Sequence, residues 1–387
     1  MTKRLFLVLI LFAALLCPAS AIGFGYHIIE AKAEADFSVG IFPVALNYQF
    51  NFPVPDVIEG SSTELAFRLN NGLDIRKLRQ HPDDGRFLND DNAGFPLEYM
   101  VLYDEFNLFY RQGFWNDHIS LGLYIDGRFE NAYETFDYKY DAEHDEGLFW
   151  KKGTDGEGKE PMVERFAGSS FTGAPELRGD RSIFNTSLSA SFTLDFLDDE
   201  ITRRDGLKFD SFVRISGPVW IPLNDGTSDY ILSRNTLDLA FTFIDAPWKD
   251  GRSWFSVVLD NSTTYRFIMG EKVPYYIQGG EMWNGNYMPN TQHVLTSLFS
   301  LTFYGPQLSA DTYPSLSVFM DLGLSYGKAL NSSSDEVYRD FSAIFGFKAE
   351  FLILDIAKFH VQCGYVKFPS LNQVEGPQVS IGFTFGV

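Results

Sequence analysis

Two short stretches carry residue types that could do chemistry, and the first is a histidine followed two positions later by a serine. In a strand, His118 and Ser120 point to the same face, where a histidine can act as the base that activates a serine hydroxyl. The pair needs a further group to orient the histidine, and no Asn follows, since Leu121 and Gly122 come next. With 6 His and many Ser in the chain, a chance match is the favoured interpretation.

The second stretch places carboxylates at alternate positions between Asp141 and Gly147, as calcium-binding loops do. An EF-hand loop needs Gly at its sixth position and Glu at its twelfth, but these positions hold Glu146 and Lys152. A solvated acidic surface loop is therefore favoured. No Cys/His cluster has zinc spacing and no phosphate-binding loop precedes a helix. We therefore predict no metal, no cofactor and no enzymatic activity.

The composition excludes several classes of protein. The 387 residues include 51 Asp and Glu against 31 Lys and Arg, a formal net charge of -20, which argues against a nucleic-acid partner. A hydrophobic fraction of 45%, with 38 Phe and 19 Tyr, argues against a disordered acidic chain. Only 2 Cys exclude a scaffold held together by disulfides. The mean hydropathy of -0.10 is nevertheless near neutral for so many aromatic residues.

The N-terminus has the pattern of an export signal. Lys3 and Arg4 precede an apolar run from Leu5 to Cys17, and Ala19 and Ala21 form a small-x-small cleavage site. The apolar run is too short for a spanning helix. We therefore predict a cleaved signal peptide at residues 1–21 and a single domain at residues 22–387.

The main signal in the rest of the chain is alternation with a period of two. In residues 186–196, Leu188, Ala190, Phe192, Leu194 and Phe196 share one face, while Ser, Thr and Asp occupy the other. The pattern recurs, and Asp-Gly or Asn-Gly dipeptides separate several of the runs. Similar or weaker runs occupy residues 33–50, 65–69, 99–111, 119–125, 207–216, 236–243, 254–266, 293–304, 316–326, 341–353 and 358–368. We predict an all-β fold of about 12–14 antiparallel strands, each near 9–14 residues.

Several connections between the runs are long. They lie at residues 72–98, at the Gly-rich acidic stretch 137–182 and at the aromatic-rich stretch 267–291. The last two are candidates for a loop that folds inward. Residues 22–60 contain several Gly and Pro and could form an N-terminal plug segment. Residues 33–50 change parity near Pro43, so they form either two short strands or one interrupted strand.

The end of the chain carries a family resemblance. Val379, Ile381, Phe383, Phe385 and Val387 alternate with polar residues and glycine. This amphipathic final strand resembles that of bacterial outer-membrane β-barrel proteins, which usually end in Phe, whereas this chain ends in Val387. The resemblance implies a closed transmembrane barrel in the outer membrane of a diderm bacterium, surrounded by lipid and inserted by the barrel-assembly machinery, which reads the last strand.

A closed barrel in lipid turns its polar face towards the lumen. The predicted lumen-lining residues that set selectivity are ten acidic and six basic side chains: Glu64, Glu105, Asp126, Glu130, Asp195, Asp210, Asp238, Asp260, Asp321 and Glu350, with Arg68, Arg111, Arg128, Lys208, Arg214 and Lys348. An acidic excess favours cations in a pore. We therefore expect a pore for small solutes with a mild cation preference.

Other functions and folds fit the same pattern. One is a surface adhesin whose lumen is blocked and whose long loops bind host or partner proteins, and another is a transporter of hydrophobic molecules such as fatty acids. A soluble β-sandwich or solenoid also has alternating strands. Aromatic residues near strand ends are expected to form interfacial girdles: Tyr99, Tyr103, Tyr110, Trp115, Trp220, Trp248, Trp254, Tyr304 and Tyr326.

Overall fold

A computed structural model describes residues 31–37, 44–52, 54–77, 98–133, 182–200, 202–217, 228–247, 253–274, 277, 280–283, 287–288, 291–306, 308, 312–330, 335–353, 357–368 and 375–385. Its elements are strands: β1 (Ala31–Phe37), β2 (Val44–Phe52), β3 (Thr63–Lys77), β4 (Glu98–Phe114), β5 (Ile119–Tyr133), β6 (Ser182–Glu200), β7 (Arg203–Ser216), β8 (Asp229–Pro247), β9 (Ser253–Lys272), β10 (Gly280–Glu281), β11 (Tyr287–Met288), β12 (Thr291–Tyr304), β13 (Thr312–Ala329), β14 (Val337–Ile353), β15 (Ala357–Phe368) and β16 (Gly376–Phe385).

Fourteen of these strands form one antiparallel sheet in which each strand pairs with the next one along the chain. The other two strands, β10 and β11, form a separate two-stranded hairpin, so that β9 pairs directly with β12 in the large sheet. The edge strands β1 and β16 come close to each other, but no ladder between them is described, so closure into a barrel stays a prediction. The all-β antiparallel fold predicted from the alternation is confirmed, and the sheet has the largest strand number of the predicted range.

Residues near the N-terminus contribute to the sheet. The stretch 33–50, which changes parity near Pro43, forms two strands, because β1 and β2 pair from Ala31 with Phe50 to Phe37 with Val44. Residues 31–37 and 44–52 belong to the segment 22–60 for which a plug was considered, and they are strands of the sheet instead. The predicted signal peptide, residues 1–21, lies outside the described residues.

The three longest connections of the sheet all lie at the same edge. Residues 115–118 and 201–202 join strands at one edge, which we call the short-connection edge. Residues 78–97, 134–181 and 273–290 join strands at the other, the long-connection edge. Because the number of strands is even, β1 begins and β16 ends at the short-connection edge. The acidic stretch Asp141 to Gly147 lies outside the described residues.

Most strands are longer than the 9–14 residues expected, and β9 has 20. The reason is that ladder pairing continues past the alternating region. In the β6–β7 hairpin, pairs run from Ser187 with Ser216 to Glu200 with Arg203, through polar residues that carry no alternation. Hydropathy alone marks only the central part of each strand.

One face of the sheet, the outer face, is apolar and exposed. Directly paired residues of an antiparallel ladder lie on the same face, so the register assigns every side chain to one face or the other. Large exposed side chains of the outer face include Leu121, Leu123, Ile125, Leu237, Leu239, Phe241, Phe243, Leu316, Val318, Leu324, Phe341, Phe345, Phe347, Val379 and Ile381. A soluble sheet would cover such a face with a second layer. Among the described residues, no helix is long and apolar enough to cross a membrane.

The aromatic residues predicted at strand ends divide between the two faces. Tyr110, Trp115 and Tyr326 are exposed, as a girdle requires. Tyr103 is only 8% exposed and lies on the inner face, against the guanidinium of Arg128 at 4.2 Å. Tyr304 pairs with Ser256 and Ser315 on that face as well. The side chains of the other predicted girdle residues lie outside the described part of the structure.

Candidate functional site

The opposite face of the sheet, the inner face, carries the polar side chains. The register places all ten acidic and all six basic residues predicted for the lumen on this face. Asp126 pairs with Asn107 and with Ser187, and Lys208 pairs with Asp195 and with Asp238. Strict alternation along each strand explains the agreement, since parity is enough to assign a face.

A hydrogen-bonded ion pair joins β5, β6 and β7 on the inner face. Arg214 donates from Nη2 to Asp126 Oδ2 at 3.1 Å and from Nε to Ser189 Oγ at 3.1 Å. Ser189 donates to the same carboxylate oxygen at 2.8 Å, and Asn107 donates to the other. Asp126 is buried, so these donors replace the water that its carboxylate loses.

A second ion-paired group lies beside the first and joins β4 and β5. Arg128 contacts Glu130 at 2.6 Å and Glu105 at 3.2 Å. Glu130 is 1% exposed, which a carboxylate tolerates only with a cation against it. Arg128 also stacks on the ring of Tyr103. The two groups fix the wall between β4 and β7 and use three of the acidic residues predicted to set selectivity.

Near the short-connection edge the inner face carries further ion pairs. Arg204 bridges Asp199 at 2.6 Å and Asp260 at 2.8 Å. Lys208 contacts Asp195 at 3.1 Å. On the neighbouring part of the wall, Glu350 lies between Lys348 and Lys358, with Lys358 at 3.3 Å. Most of the predicted acidic residues therefore face a cation directly.

Four further cationic side chains lie on this face among the described residues and were not predicted from the sequence, namely Arg204, Arg234, Arg266 and Lys358. Arg234 precedes Thr236 with the same parity, so extending the β8 pattern by one step towards the N-terminus would have found it. Arg234 and Arg266 are directly paired across β8 and β9. Asp199, Asp245 and Asp340 are acidic side chains of the same face that parity alone also left out. The acidic excess that suggested a cation preference therefore becomes smaller but remains on the described inner face.

Four predicted carboxylates, Glu64, Asp210, Asp238 and Asp321, form no ion pair among the described contacts, and the Asp321 contact with the connection before β12 is described below. Asp210 accepts a hydrogen bond from Thr193 at 2.6 Å. Asp238 has neither an ion pair nor a side-chain hydrogen bond among the described contacts, and it is half-buried. Glu64 is half-buried and has no such contact either. Asp238 and Glu64 are thus the predicted acidic residues whose charges are left most available to a solute.

Arginines and aromatic rings alternate across the inner face from β3 to β8. The guanidinium of Arg68 lies 4.5 Å from the ring of Phe109, which stacks on Tyr124 at 5.8 Å. Tyr124 meets Phe212 edge-on at 6.1 Å, and Arg234 lies 5.4 Å from Phe212. Arg68 and Arg234 are both exposed. This part of the wall, which we call the charged sector, spans β3 to β9.

Another part of the inner face, on β12 to β15 away from the Glu350 ion pairs and towards the long-connection edge, is apolar and covered. Met282 and Met288, from the connection between β9 and β12, are buried against Val294, Phe319, Ile344 and Val366. We call residues 280–283 and 287–288 the inserted segment, and the wall beneath it the covered sector. Of the two connections that could fold inward, 267–291 thus does so in its described part, whereas 137–181 lies outside the described residues.

Trp283 fixes the inserted segment to the wall with two hydrogen bonds. Its backbone N–H donates to Asp321 Oδ2 at 2.6 Å, and its indole Nε1–H donates to Gln362 Oε1 at 2.9 Å. The ring also lies 5.0 Å from that of Phe319. Asp321 therefore accepts a hydrogen bond from the segment and is buried by it, so its charge does not line open lumen.

Two glycines make room for these side chains in the wall. A Cβ built on Gly364 would lie 2.2 Å from Cζ3 of Trp283, and one on Gly323 would lie 2.4 Å from Sδ of Met288. A residue larger than glycine at position 323 or 364 would collide with these side chains and exclude the segment. The covered sector is therefore shaped to receive it.

His118 and Ser120 do not form a catalytic pair in the structure. His118 lies in the turn before β5, where Nδ1 contacts the carbonyl oxygen of Asp195 at 2.7 Å. Its ring stacks on Phe196 at 5.0 Å and meets Trp115 at 5.6 Å. Ser120 is buried on the inner face. Among the described residues, no group of three His, Cys, Asp or Glu side chains could hold a metal ion.

No protein-family model matches the chain, and no curated protein matches it in sequence. Solved structures with a similar chain path include BamA from Haemophilus ducreyi lacking POTRA domains 1-3 (11% identity, TM-score 0.48, covering 92% of this chain and 69% of that one). CdiB from Escherichia coli (11%, 0.49, 91% and 54%) and CdiB from Acinetobacter baumannii (8%, 0.45, 93% and 60%) are also similar. The chain spans about half to seven tenths of these structures. Likeness at this level assigns no family and no activity.

Proposed function

We propose that the chain is an outer-membrane β-barrel whose lumen passes small hydrophilic solutes along the charged sector. The observation that carries the proposal is the inversion of the usual burial pattern. The apolar face of a single continuous sheet is exposed, while Asp126, Glu130 and Arg266 are buried on the other face. A sheet with this arrangement suits a barrel whose outer face contacts lipid and whose inner face contacts water.

The dimensions of the sheet support insertion in a membrane. Spanning the hydrocarbon layer takes about 9–11 residues of a tilted strand. The sheet strands from β3 to β15, which do not include the hairpin β10–β11, have between 12 and 20 residues, enough to cross and to extend beyond both surfaces. In β16, the exposed Val379 and Ile381 lie on the outer face. The predicted signal peptide and this final strand support export and insertion by the barrel-assembly machinery.

The division of the inner face supports a narrowed passage. The inserted segment occupies the covered sector, so a solute has only the charged sector available. That sector retains exposed guanidinium groups at Arg68 and Arg234 and a half-buried carboxylate at Asp238. Because ion pairs neutralise most other carboxylates, the mild cation preference we propose depends chiefly on Asp238 and Glu64.

The blocked-lumen adhesin is the alternative favoured by the inserted segment itself. If residues outside the described set complete the closure, long connections such as 134–181 would be the functional part, facing host or partner proteins. Transport of hydrophobic molecules would instead use the apolar covered sector around Phe319 and Ile344. Each alternative differs from the pore in what crosses the membrane.

Two measurements on the purified full chain test the proposal. A barrel migrates faster on a gel before boiling than after it, and identical migration together with solubility in the absence of detergent would contradict membrane insertion. In planar bilayers, a pore gives discrete conductance steps, whereas the blocked adhesin gives none. Swelling of vesicles in a fatty acid but not in small sugars or salts would favour the hydrophobic transporter.

A further inference from the structure

A row of aromatic and basic side chains crosses the outer face near the long-connection edge. The register aligns Phe267 of β9, His293 of β12, Tyr326 of β13 and Arg339 of β14 as direct neighbours. Each of these residues lies within a few positions of the strand end at that edge. Away from the strand ends, the described outer face carries mainly aliphatic and Phe side chains, together with uncharged Ser, Thr and Asn from β7 to β12. A histidine and an arginine here therefore require an explanation.

His293 is held in one orientation by its neighbours. Its Nδ1 is 2.8 Å from the hydroxyl of Tyr265, and its ring stacks on Phe267 at 4.9 Å. Tyr326 lies on the other side at 6.2 Å. If the Tyr265 hydroxyl donates to Nδ1, Nε2 carries the hydrogen and points away from the pair as a donor.

Arg339 shares Tyr326 with the histidine. Its guanidinium lies 5.5 Å from the ring of Tyr326, so the imidazole and the guanidinium flank the same ring. Arg339 is exposed and has no carboxylate partner among the described contacts. The neighbouring Asp340 lies on the inner face, opposite Ser325, and accepts a hydrogen bond from the N–H of Phe341 at 3.0 Å. Asp335 binds Lys328 at 2.5 Å and Glu336 accepts from Tyr338 at 3.3 Å, so these carboxylates are engaged elsewhere. The hydrogen bond from Lys328 lowers the pKa of Asp335, which keeps that pair charged.

We propose that Arg339, His293 and Tyr326 form a binding site for the phosphate of an anionic phospholipid. The guanidinium supplies the positive charge and two or more donors, and His293 Nε2–H supplies a further donor. The rings of Tyr326, Tyr265 and Phe267 provide an apolar base for the first carbons of the acyl chains.

The position of the row favours a lipid over other anionic partners. Aromatic side chains gather where the hydrocarbon layer meets the headgroups, and basic side chains at that depth attract anionic lipids. Tyr326 and Arg339 adjoin the exposed apolar side chains of β13 and β14, such as Leu324 and Phe341. A soluble anion would gain nothing from this apolar surface. This inference rests on the proposed membrane insertion but not on the pore.

The test measures the preference for an anionic phospholipid over a zwitterionic one with the same acyl chains, using the full chain reconstituted in mixed vesicles. One basic side chain near the surface is worth about a fivefold change in this preference. We expect Arg339→Gln to lower the preference about fivefold, His293→Gln to lower it less, and Arg339→Lys to retain most of it.

Lys367→Gln is the matched control, since Lys367 is an exposed lysine near the same edge, is paired with Glu375 at 3.5 Å and lies away from the aromatic row. This variant is expected to leave the preference unchanged. An equal effect of Lys367→Gln and Arg339→Gln would overturn the proposal, because any basic residue would then serve. Displacement of the lipid by an equal concentration of inorganic phosphate would also overturn it. A chain that does not enter vesicles contradicts both membrane insertion and the lipid site, whereas insertion without the Arg339 effect contradicts the lipid site alone.

Discussion

Replacing Gly364 of β15 by alanine tests whether the inserted segment narrows the lumen, because Gly364 contacts Trp283 of that segment. The new methyl group would lie 2.2 Å from Cζ3 of Trp283, whereas carbon atoms in contact are about 3.5–4.0 Å apart. The rigid indole must therefore move by more than roughly 1 Å. Such a shift disturbs the 2.9 Å hydrogen bond to Gln362 and the anchor to Asp321.

The magnitude follows from two contributions to the docking free energy. Overpacking costs about 1–3 kcal/mol, and the lost hydrogen bond about 1 kcal/mol. Together they weaken docking by about 2–4 kcal/mol, which raises the ratio of released to docked segment by a factor of roughly 30 to 800. The strand itself is not weakened, because alanine is favoured over glycine in a strand by about 0.5–1 kcal/mol.

Two readouts follow the segment in Gly364→Ala. Single-channel recording in planar bilayers should show larger or more frequent conductance steps. A cysteine placed at Met282, in a chain whose Cys363 is replaced by serine, should react faster with a water-soluble thiol reagent. Gly127→Ala is the matched control, because its methyl would lie 2.1 Å from a ring carbon of Phe106 on the outer face. Wild-type conductance and labelling in Gly364→Ala, or equal changes in the control, would refute the role of the segment.

The remaining predictions concern the wall, selectivity and the outer face. Asp126→Ala should lower the free energy of unfolding by about 3–5 kcal/mol, because Arg214 loses its buried partner. The temperature at which the gel shift is lost measures the change in stability. The control is Asp198→Ala, which replaces an exposed residue and should leave this temperature unchanged. Asp238→Asn should shift the reversal potential towards anions, and an unchanged cation-to-anion ratio would reject its role. Asp321→Asn should leave that ratio unchanged, since Asp321 is covered by Trp283. Leu239→Arg on the outer face should cost about 2–4 kcal/mol in lipid, and an equal loss in Thr236→Arg on the inner face would mean that the outer face does not meet lipid.

Alternation predicted the faces correctly because it depends only on the geometry of a single strand. A period of two assigns each side chain to a face without any knowledge of which strands pair. All sixteen lumen candidates therefore lie on the inner face. What parity could not supply was the partner of each charge. Asp126 is joined to Ser189 and Arg214, 63 and 88 residues away, and only the register brings them together.

The inserted segment could not be predicted from the connection that contains it, because aromatic residues suit an exposed loop as well as a buried one. The wall carried the better signal. Gly323 and Gly364 interrupt the inner parity of β13 and β15 at positions where a side chain was expected, and isolated strand glycines often mark a close approach by another group. The hydrogen bond between Trp283 and Gln362 spans 79 residues, so it has no local cue.

The ion pairs of the charged sector differ in burial, and this difference has a consequence for conduction. The pair of Arg214 and Asp126 has side chains 18% and 9% exposed, whereas those of Lys208 and Asp195 are 34% and 33% exposed. Salt screens exposed charges strongly and buried pairs weakly. Raising the ionic strength should therefore weaken the ion pair of Lys208 and Asp195, whereas the more buried pair of Arg214 and Asp126 should persist. Because one member of each sign is released, selectivity should change little with salt, and the unpaired carboxylates Asp238 and Glu64 should continue to determine it.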